Sequence, residues 1–240
     1  MKKLLIITLF ITGFANAQDT TAWKNFGDYS LSGNYIHVNS VKQQILNTSI
    51  IQDFNKKSEY HQFFVNYTYL LKNDYVISND LNIKYQRKKN INNWNYYNYL
   101  IYSTLKSRSV LNREVIGLGI GKEVIKTNQF RLNLSLALDY SNTEYKIKND
   151  IKTVDYLRLS NRIHAVANFP NFSLNTEVYI QPDIKDFYNL NYNWILKMNI
   201  PVYKNFLFSL SSVRTFETYN PNLNNSNMND NFLIGLTYKY

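Results

Sequence analysis

Residues 130–140 read FRLNLSLALDY. Phe130, Leu132, Leu134, Leu136, Leu138 and Tyr140 share one parity, and Arg131, Asn133, Ser135, Ala137 and Asp139 share the other. Successive side chains of a β-strand point to opposite faces, so this segment has one apolar face and one polar face. An aromatic closes the apolar face at each end. Eleven residues at about 3.3 Å each, tilted by about 45°, span about 25 Å, the height of the apolar band on a transmembrane barrel.

Working outward, the same alternation recurs along the chain. Tyr29, Leu31 and Tyr35 mark a strand over 25–38, and a second follows over 41–54. Phe63, Val65, Tyr67, Tyr69 and Leu71 oppose Gln62, Asn66 and Thr68 within 60–71, and Leu81, Ile83 and Tyr85 oppose Asn82, Lys84 and Gln86 within 75–86. The polar run 87–93 reads as a loop, and 94–106 as a strand of either parity. Ile116, Leu118 and Ile120 oppose Gly117, Gly119 and Gly121. Glycine weakens a lone strand, so three on one face predict close approach in a crowded barrel, or a bend. The GLGIG run lacks the Lys-Ser/Thr ending and the helix of a phosphate-binding loop.

Beyond residue 140 the organising strand runs on to Ile147, followed by a loop near 147–152. Further strands fall over 155–167, 172–180, 190–200, from 206 onward, and over 231–240. A tight turn covers 201–205, and 219–229 (YNPNLNNSNMN) is the longest polar loop. The count is twelve, an all-β antiparallel transmembrane barrel of the outer-membrane type. Roughly 18 residues per strand and turn suit spanning strands, and an even number puts both termini on one side, the periplasmic one. The rival, a soluble exported sandwich or lipocalin-like barrel, does not explain so many strands of ten or more residues, because soluble strands average about five or six.

The chain opens with Lys2 and Lys3, an apolar run from Leu4 to Phe14 and the small triplet Ala15-Asn16-Ala17. That pattern predicts a secretory signal, residues 1–17, cleaved near Ala17 to leave one domain over 18–240. The absence of cysteine excludes a lipoprotein anchor and a disulfide framework. Loss of Lys2 and Lys3 lowers the formal charge from +10 to +8. The basic residues are scattered, which suits anionic lipid or lipopolysaccharide rather than nucleic acid. Tyrosine is abundant (21 residues), as expected where an amphipathic ring meets a membrane interface.

Two stretches carry a family resemblance: Ser30 to Asn34 (SLSGN), and Ile116 to Ile125 (IGLGIGKEVI) running into 130–145. Together they resemble the salt-induced outer-membrane protein family, a domain of unknown function, over most of 26–240 and most strongly over 28–147. Lys122 stands where that pattern has an aromatic, and Leu136-Ala137-Leu138 lacks a glycine expected nearby. The resemblance implies an outer-membrane barrel and salt-responsive expression, and supplies no catalytic residues.

The expected lipid-facing set is Leu132, Leu134, Leu136, Leu138, Tyr192, Trp194, Leu196, Phe232, Ile234, Leu236 and Tyr240. The expected lumen-lining set is Arg131, Asp139, Arg158, Arg162, His164, Glu177, Lys197 and Lys239. No metal or cofactor is expected: the three histidines lack ligand spacing and there is no Cys. Ser160 and His164 share a face with Arg158 and Arg162, but positive charge beside a histidine opposes its protonation and makes it a poor base. The leading expectation is a non-enzymatic envelope barrel, structural or stress-related, with a largely filled lumen. The alternatives are a narrow, weakly anion-selective pore, a cell-surface binder using the polar loops, or a lipid-modifying barrel enzyme. Expected partners are outer-membrane lipids, lipopolysaccharide and the outer-membrane assembly machinery.

Overall fold

The structure, a computed structural model, describes residues 24–38, 41–56, 58–73, 75–106, 109–147, 150–218 and 227–239. The expected signal segment, Tyr240 and the loop over 219–226 lie outside the described residues.

Twelve strands run β1 (Lys24–Val38), β2 (Val41–Lys56), β3 (Glu59–Lys72), β4 (Tyr75–Ile91), β5 (Trp94–Leu105), β6 (Val110–Lys126), β7 (Phe130–Ile147), β8 (Asp150–Asn168), β9 (Ser173–Pro182), β10 (Leu190–Tyr203), β11 (Phe206–Glu217) and β12 (Asn227–Lys239). Each pairs antiparallel with its chain neighbours, and β1 pairs with β12 to close the barrel. Closure removes the edge strand, whose bare N–H and C=O groups would each cost several kcal/mol in hydrocarbon. The ladders differ in length. β7 and β8 pair from Phe130–Ala167 to Ile147–Asp150, whereas the closing seam pairs Asp28–Gly33 with Ile234–Lys239.

The organising strand is β7, and its burial alternates as its sequence does. Ala137, Asp139, Ser141, Thr143 and Tyr145 are buried, while Leu134, Leu136, Leu138 and Tyr140 are exposed. The molecule repeats this inversion of a soluble protein's polarity. Arg158, Ser160, Glu217 and Thr237 are among its most buried residues, while Leu31, Leu118 and Leu236 stand more than half exposed. Apolar side chains outside and polar ones inside are stable only where the outside solvent is apolar. A polar group on the outer wall finds a local partner there: Trp194 Nε1 donates to Thr176 Oγ1 at 3.0 Å.

One end of the barrel carries both described chain ends and the connections at 57–58, 92–93, 127–129, 169–172 and 204–205. At this end Asn92 and Asn93 both have positive φ, 48° and 67°, the signature of a type I′ hairpin turn that asparagine tolerates. Phe206 stacks near Tyr238 with ring centroids 5.1 Å apart, and Phe169 lies 4.5 Å from Phe172. The connection 183–189 lies at the opposite end, where β11 also ends and β12 begins.

Several boundaries differ from those read in the sequence, most because their flanks are polar and one because a proline sits at a bulge. The run 87–93 is not a loop: β4 continues to Ile91, with Arg87 and Lys89 outward and Lys88 inward. Likewise β10 extends through Pro201 to Tyr203 with a register shift there, leaving the turn at 204–205. Lys152 is in β8 paired with Tyr145, and β12 begins at Asn227. Strands that project beyond an apolar band need no apolar alternation, so polar flanks hide their ends.

Candidate functional site: the barrel interior

The inward parity brings residues from distant strands into one polar filling. Its midsection is built on the glycine face of β6. Gly117 and Gly119 lie opposite Tyr99 and Tyr97 of β5, whose rings stack with centroids 6.1 Å apart and planes 15° apart. The rings cover the glycines so closely that a Cβ on Gly117 would stand 2.3 Å from Tyr99 Cζ, and one on Gly119 2.5 Å from Tyr97 Cζ. Gly117 and Gly119 therefore make room for tyrosines, and Gly121 for the close approach of Ser135 on β7; the run forms no phosphate loop.

Tyr99 donates its hydroxyl to Asp139 Oδ1. Gln181 from β9 reaches past β8, donating to Asp139 Oδ2 at 3.0 Å and to Ser160 Oγ at 2.9 Å. Lys84 Nζ, from the neighbouring β4, stands 5.5 Å from the centre of the Tyr99 ring. Beside this cluster Arg162 is ion-paired with Glu177 and lies over Tyr179. A buried charge needs a partner to be tolerated, and Arg162 and Glu177 supply one to each other.

A second layer lies at the end away from the termini. Arg113 of β6 reaches across the lumen to Glu217 of β11, Nη2 to Oε1 at 3.0 Å, with side chains 13% and 4% exposed. These strands stand five apart around the ring one way and seven the other, so the pair is a strut between nearly opposite walls. Arg113 also donates to Thr143 Oγ1 and Tyr145 OH, each at 3.3 Å. Tyr145 is fully buried, and Arg158 packs 4.2 Å from the centre of the Tyr156 ring. The connection 183–189 folds against this layer, with the backbones of Arg158 and Asp183 paired as an isolated antiparallel β-bridge and Ile184 N donating to Leu157 O at 2.8 Å.

The lumen-lining candidates divide by depth. Asp139 and Arg158 are buried, while Arg162, Glu177, His164 and Lys197 are half-buried on the inward parity. Arg131 and Lys239 share that parity but are exposed at the rim near the chain ends. His164 Nε2 meets Asn175 Oδ1 at 3.0 Å, Ser160 is engaged by Gln181, and Arg162 lies between them on the strand. Ser160 and His164 are four residues apart, about 13 Å along a strand, and so form no nucleophile–base pair. Among the described residues no group of three His, Asp or Glu could hold a metal ion.

Of the outward candidates, Leu134, Leu136, Leu138, Phe232, Ile234 and Leu236 are exposed on the outer wall, and Leu132, Tyr192, Trp194 and Leu196 are partly so. Tyr240 lies outside the described residues.

Sequence reasoning left out Lys84, Arg113, Glu217, Tyr97 and Tyr99. Lys84 already sat on the polar parity of its strand. Arg113 and Glu217 lie in the polar flanks of theirs, and β5 has tyrosines on both faces, which masks its orientation.

Residues 41–240 match the family described as "Protein of unknown function, DUF481". The span contains Ile116 to Ile125 and excludes Ser30 to Asn34. Among curated proteins none matches the sequence. The solved structures it resembles include a NanC porin, at 10% identity and TM-score 0.55, covering 89% of this chain and all of the other. A KdgM porin (12% identity, TM-score 0.47, 90% and 99% covered) and the translocator domain of autotransporter NalP from Neisseria meningitidis (9%, 0.44, 100% and 96%) are more distant in shape and carry no argument. At such identity the NanC likeness is one of fold, a closed antiparallel outer-membrane-type barrel.

Proposed function

Because this chain belongs to the DUF481 family, whose description assigns no activity, we propose its role from its own geometry. It is a non-enzymatic barrel of the bacterial outer membrane, envelope-structural or stress-related, with a filled lumen. The Arg113–Glu217 strut carries this reading, because it joins nearly opposite walls and is embedded in Tyr145, Thr143, Tyr156 and Arg158. A polar filling of paired charges stiffens a narrow barrel and blocks a continuous water column.

The proposed placement puts both termini in the periplasm after cleavage near Ala17, with lipids and lipopolysaccharide around the wall and insertion by the outer-membrane assembly machinery. Short connections at the end with the termini and the longer connection 183–189 at the other end support that orientation. Expression responding to salt is proposed from the family resemblance. A non-enzymatic role is supported by the separation of Ser160 from His164 and by their engagement with Gln181 and Asn175.

A second reading, a narrow and weakly anion-selective pore, draws on the inward cations Lys84, Lys88, Arg131, Lys197 and Lys239, since charged linings set selectivity. Inward Asp28, Asp53 and Glu217 reduce that surplus. Single-channel recording of the refolded protein, with folding verified by heat-modifiable gel migration, separates the two. Folded protein without conductance steps supports the filled barrel. Unit steps that change with Arg158→Glu or Arg162→Glu establish the pore instead.

A further inference from the structure

The outer wall is not uniform. Across β4 to β8 a groove of about 620 Å³ runs from Arg87, Lys89, Tyr96 and Asn98 to Leu118, Ile120, Leu136, Leu138 and Leu159. These side chains all point outward; the floor is the sheet itself at Tyr97, Gly119 and Ala137, which belong to the inward parity. The volume falls within the range of ligand sites, about 300–1,000 Å³. The groove has a polar head and an apolar body. Its head lies toward the end of the barrel that carries the chain termini, since Arg87 and Lys89 precede the turn at 92–93 and Asn98 follows it.

Charge and hydrogen bonding at the head are incomplete. Glu59 is taken by Arg87, Nε to Oε1 at 2.6 Å. Lys89 stands opposite Glu59 in the ladder, yet among the described residues neither Lys89 nor Lys122 pairs with a carboxylate. Lys122, diagonal to Tyr96 on the same face, rests its ammonium 5.2 Å from the centre of the Trp94 ring. Asn98 sits on the outward face between Tyr96 and Leu100, and its side chain has no hydrogen-bond partner among the described residues. An uncompensated amide at the edge of an apolar groove, beside two unpaired ammonium groups and two interfacial aromatics, has the chemistry of a phosphate receptor.

We infer that this groove holds one anionic phospholipid, its phosphate at Arg87, Lys89 and Asn98 and an acyl chain along Leu118, Ile120, Leu136 and Leu138. The inference rests on the membrane-barrel reading. With the termini periplasmic, the site faces the phospholipid leaflet rather than the lipopolysaccharide leaflet. Lys122, beside Trp94 on the same face, then supplies a third cation near the headgroup.

Trp94 is a built-in reporter. In a full-length chain whose sole tryptophan is Trp94 (Trp23→Phe, Trp194→Phe), fluorescence is quenched by brominated phosphatidylglycerol or brominated phosphatidylcholine at equal mole fraction in vesicles. The expected result is preferential quenching by the anionic lipid. That preference falls by up to about five-fold for each of Lys89→Gln and Lys122→Gln, and falls again with Asn98→Leu. A companion chain keeping only Trp194, on the far wall, shows no such preference. Equal quenching of Trp94 by both lipids overturns the inference, leaving ordinary annular lipid. Displacement of the brominated lipid by lipopolysaccharide but not by unlabelled phosphatidylglycerol also overturns it. Failure of the membrane reading looks different: neither tryptophan is then quenched by any brominated lipid.

Discussion

Gly117→Ala tests the midsection directly. In a strand, alanine is worth about 0.5–1 kcal/mol more than glycine, so on backbone grounds alone the change would stabilise. The structure reverses that sign. The new Cβ would stand 2.3 Å from Tyr99 Cζ, 2.6 Å from Tyr99 Cε1 and 2.7 Å from Asp139 Oδ1. Either the ring stays and the site is overpacked, at about 1–3 kcal/mol, or it swings away and gives up its hydrogen bond to Asp139. A bond to a charged group is worth about 1.5–3 kcal/mol. Either route leaves a net loss of about 1–2 kcal/mol after the backbone gain.

The same substitution in a Tyr99→Ala background meets only Asp139 Oδ1, the far end of a side chain freed to turn into the space the ring leaves, and recovers most of the backbone gain, so the coupling between the two sites is about 2 kcal/mol. Urea unfolding of the refolded protein in vesicles, followed by tryptophan emission, measures all four corners of the cycle. Equal effects of Gly117→Ala in both backgrounds would refute the packing argument.

Arg113→Ala or Glu217→Ala alone should cost about 3–5 kcal/mol by leaving a buried charge unanswered, while the double change to Met should come near neutrality, read in the same unfolding assay. On the outer wall, Leu138→Arg should cost about 2–4 kcal/mol and Leu134→Arg less, because Leu134 lies nearer the end of β7; equal tolerance of both would show that this face does not meet hydrocarbon. Thr176→Val, which strands the Trp194 N–H on that wall, and Trp194→Phe, which strands the Thr176 hydroxyl, should each cost about 1 kcal/mol, and the double change less than their sum, as read from urea midpoints.

The fold was legible wherever one face of a strand had to be apolar. Leu132 to Tyr140 and Phe232 to Tyr238 show their orientation residue by residue, and the twelve strands follow from repeating that pattern. Legibility failed where the constraint lapses. Arg87 to Ile91 looks like a loop because a strand beyond the apolar band alternates nothing. β5 hid its orientation because tyrosine serves both walls: Tyr96 and Tyr102 point out, Tyr97 and Tyr99 in.

The interior was legible only as a list of polar residues. Which of them meet depends on the stagger of strands around the ring, and no spacing along the chain encodes that Arg113 would find Glu217. The glycine triplet was the exception. Its reading as a place of close approach was already present in the sequence, and the structure supplies the rings.

The inverted polarity has a consequence for how much information this architecture consumes. A wall facing a featureless solvent asks of each outward position only that it be oily, and of each inward position only that it be wet. That is close to a two-letter alphabet, and very many chains satisfy it. Shape can then persist where identity has fallen to 10%, as between this chain and the NanC porin. Individuality survives where the alphabet is broken: Lys122 and Asn98 written on the oily side, three glycines and a spanning Arg113 on the wet side. Those departures are the places where the two-letter rule alone does not account for this chain.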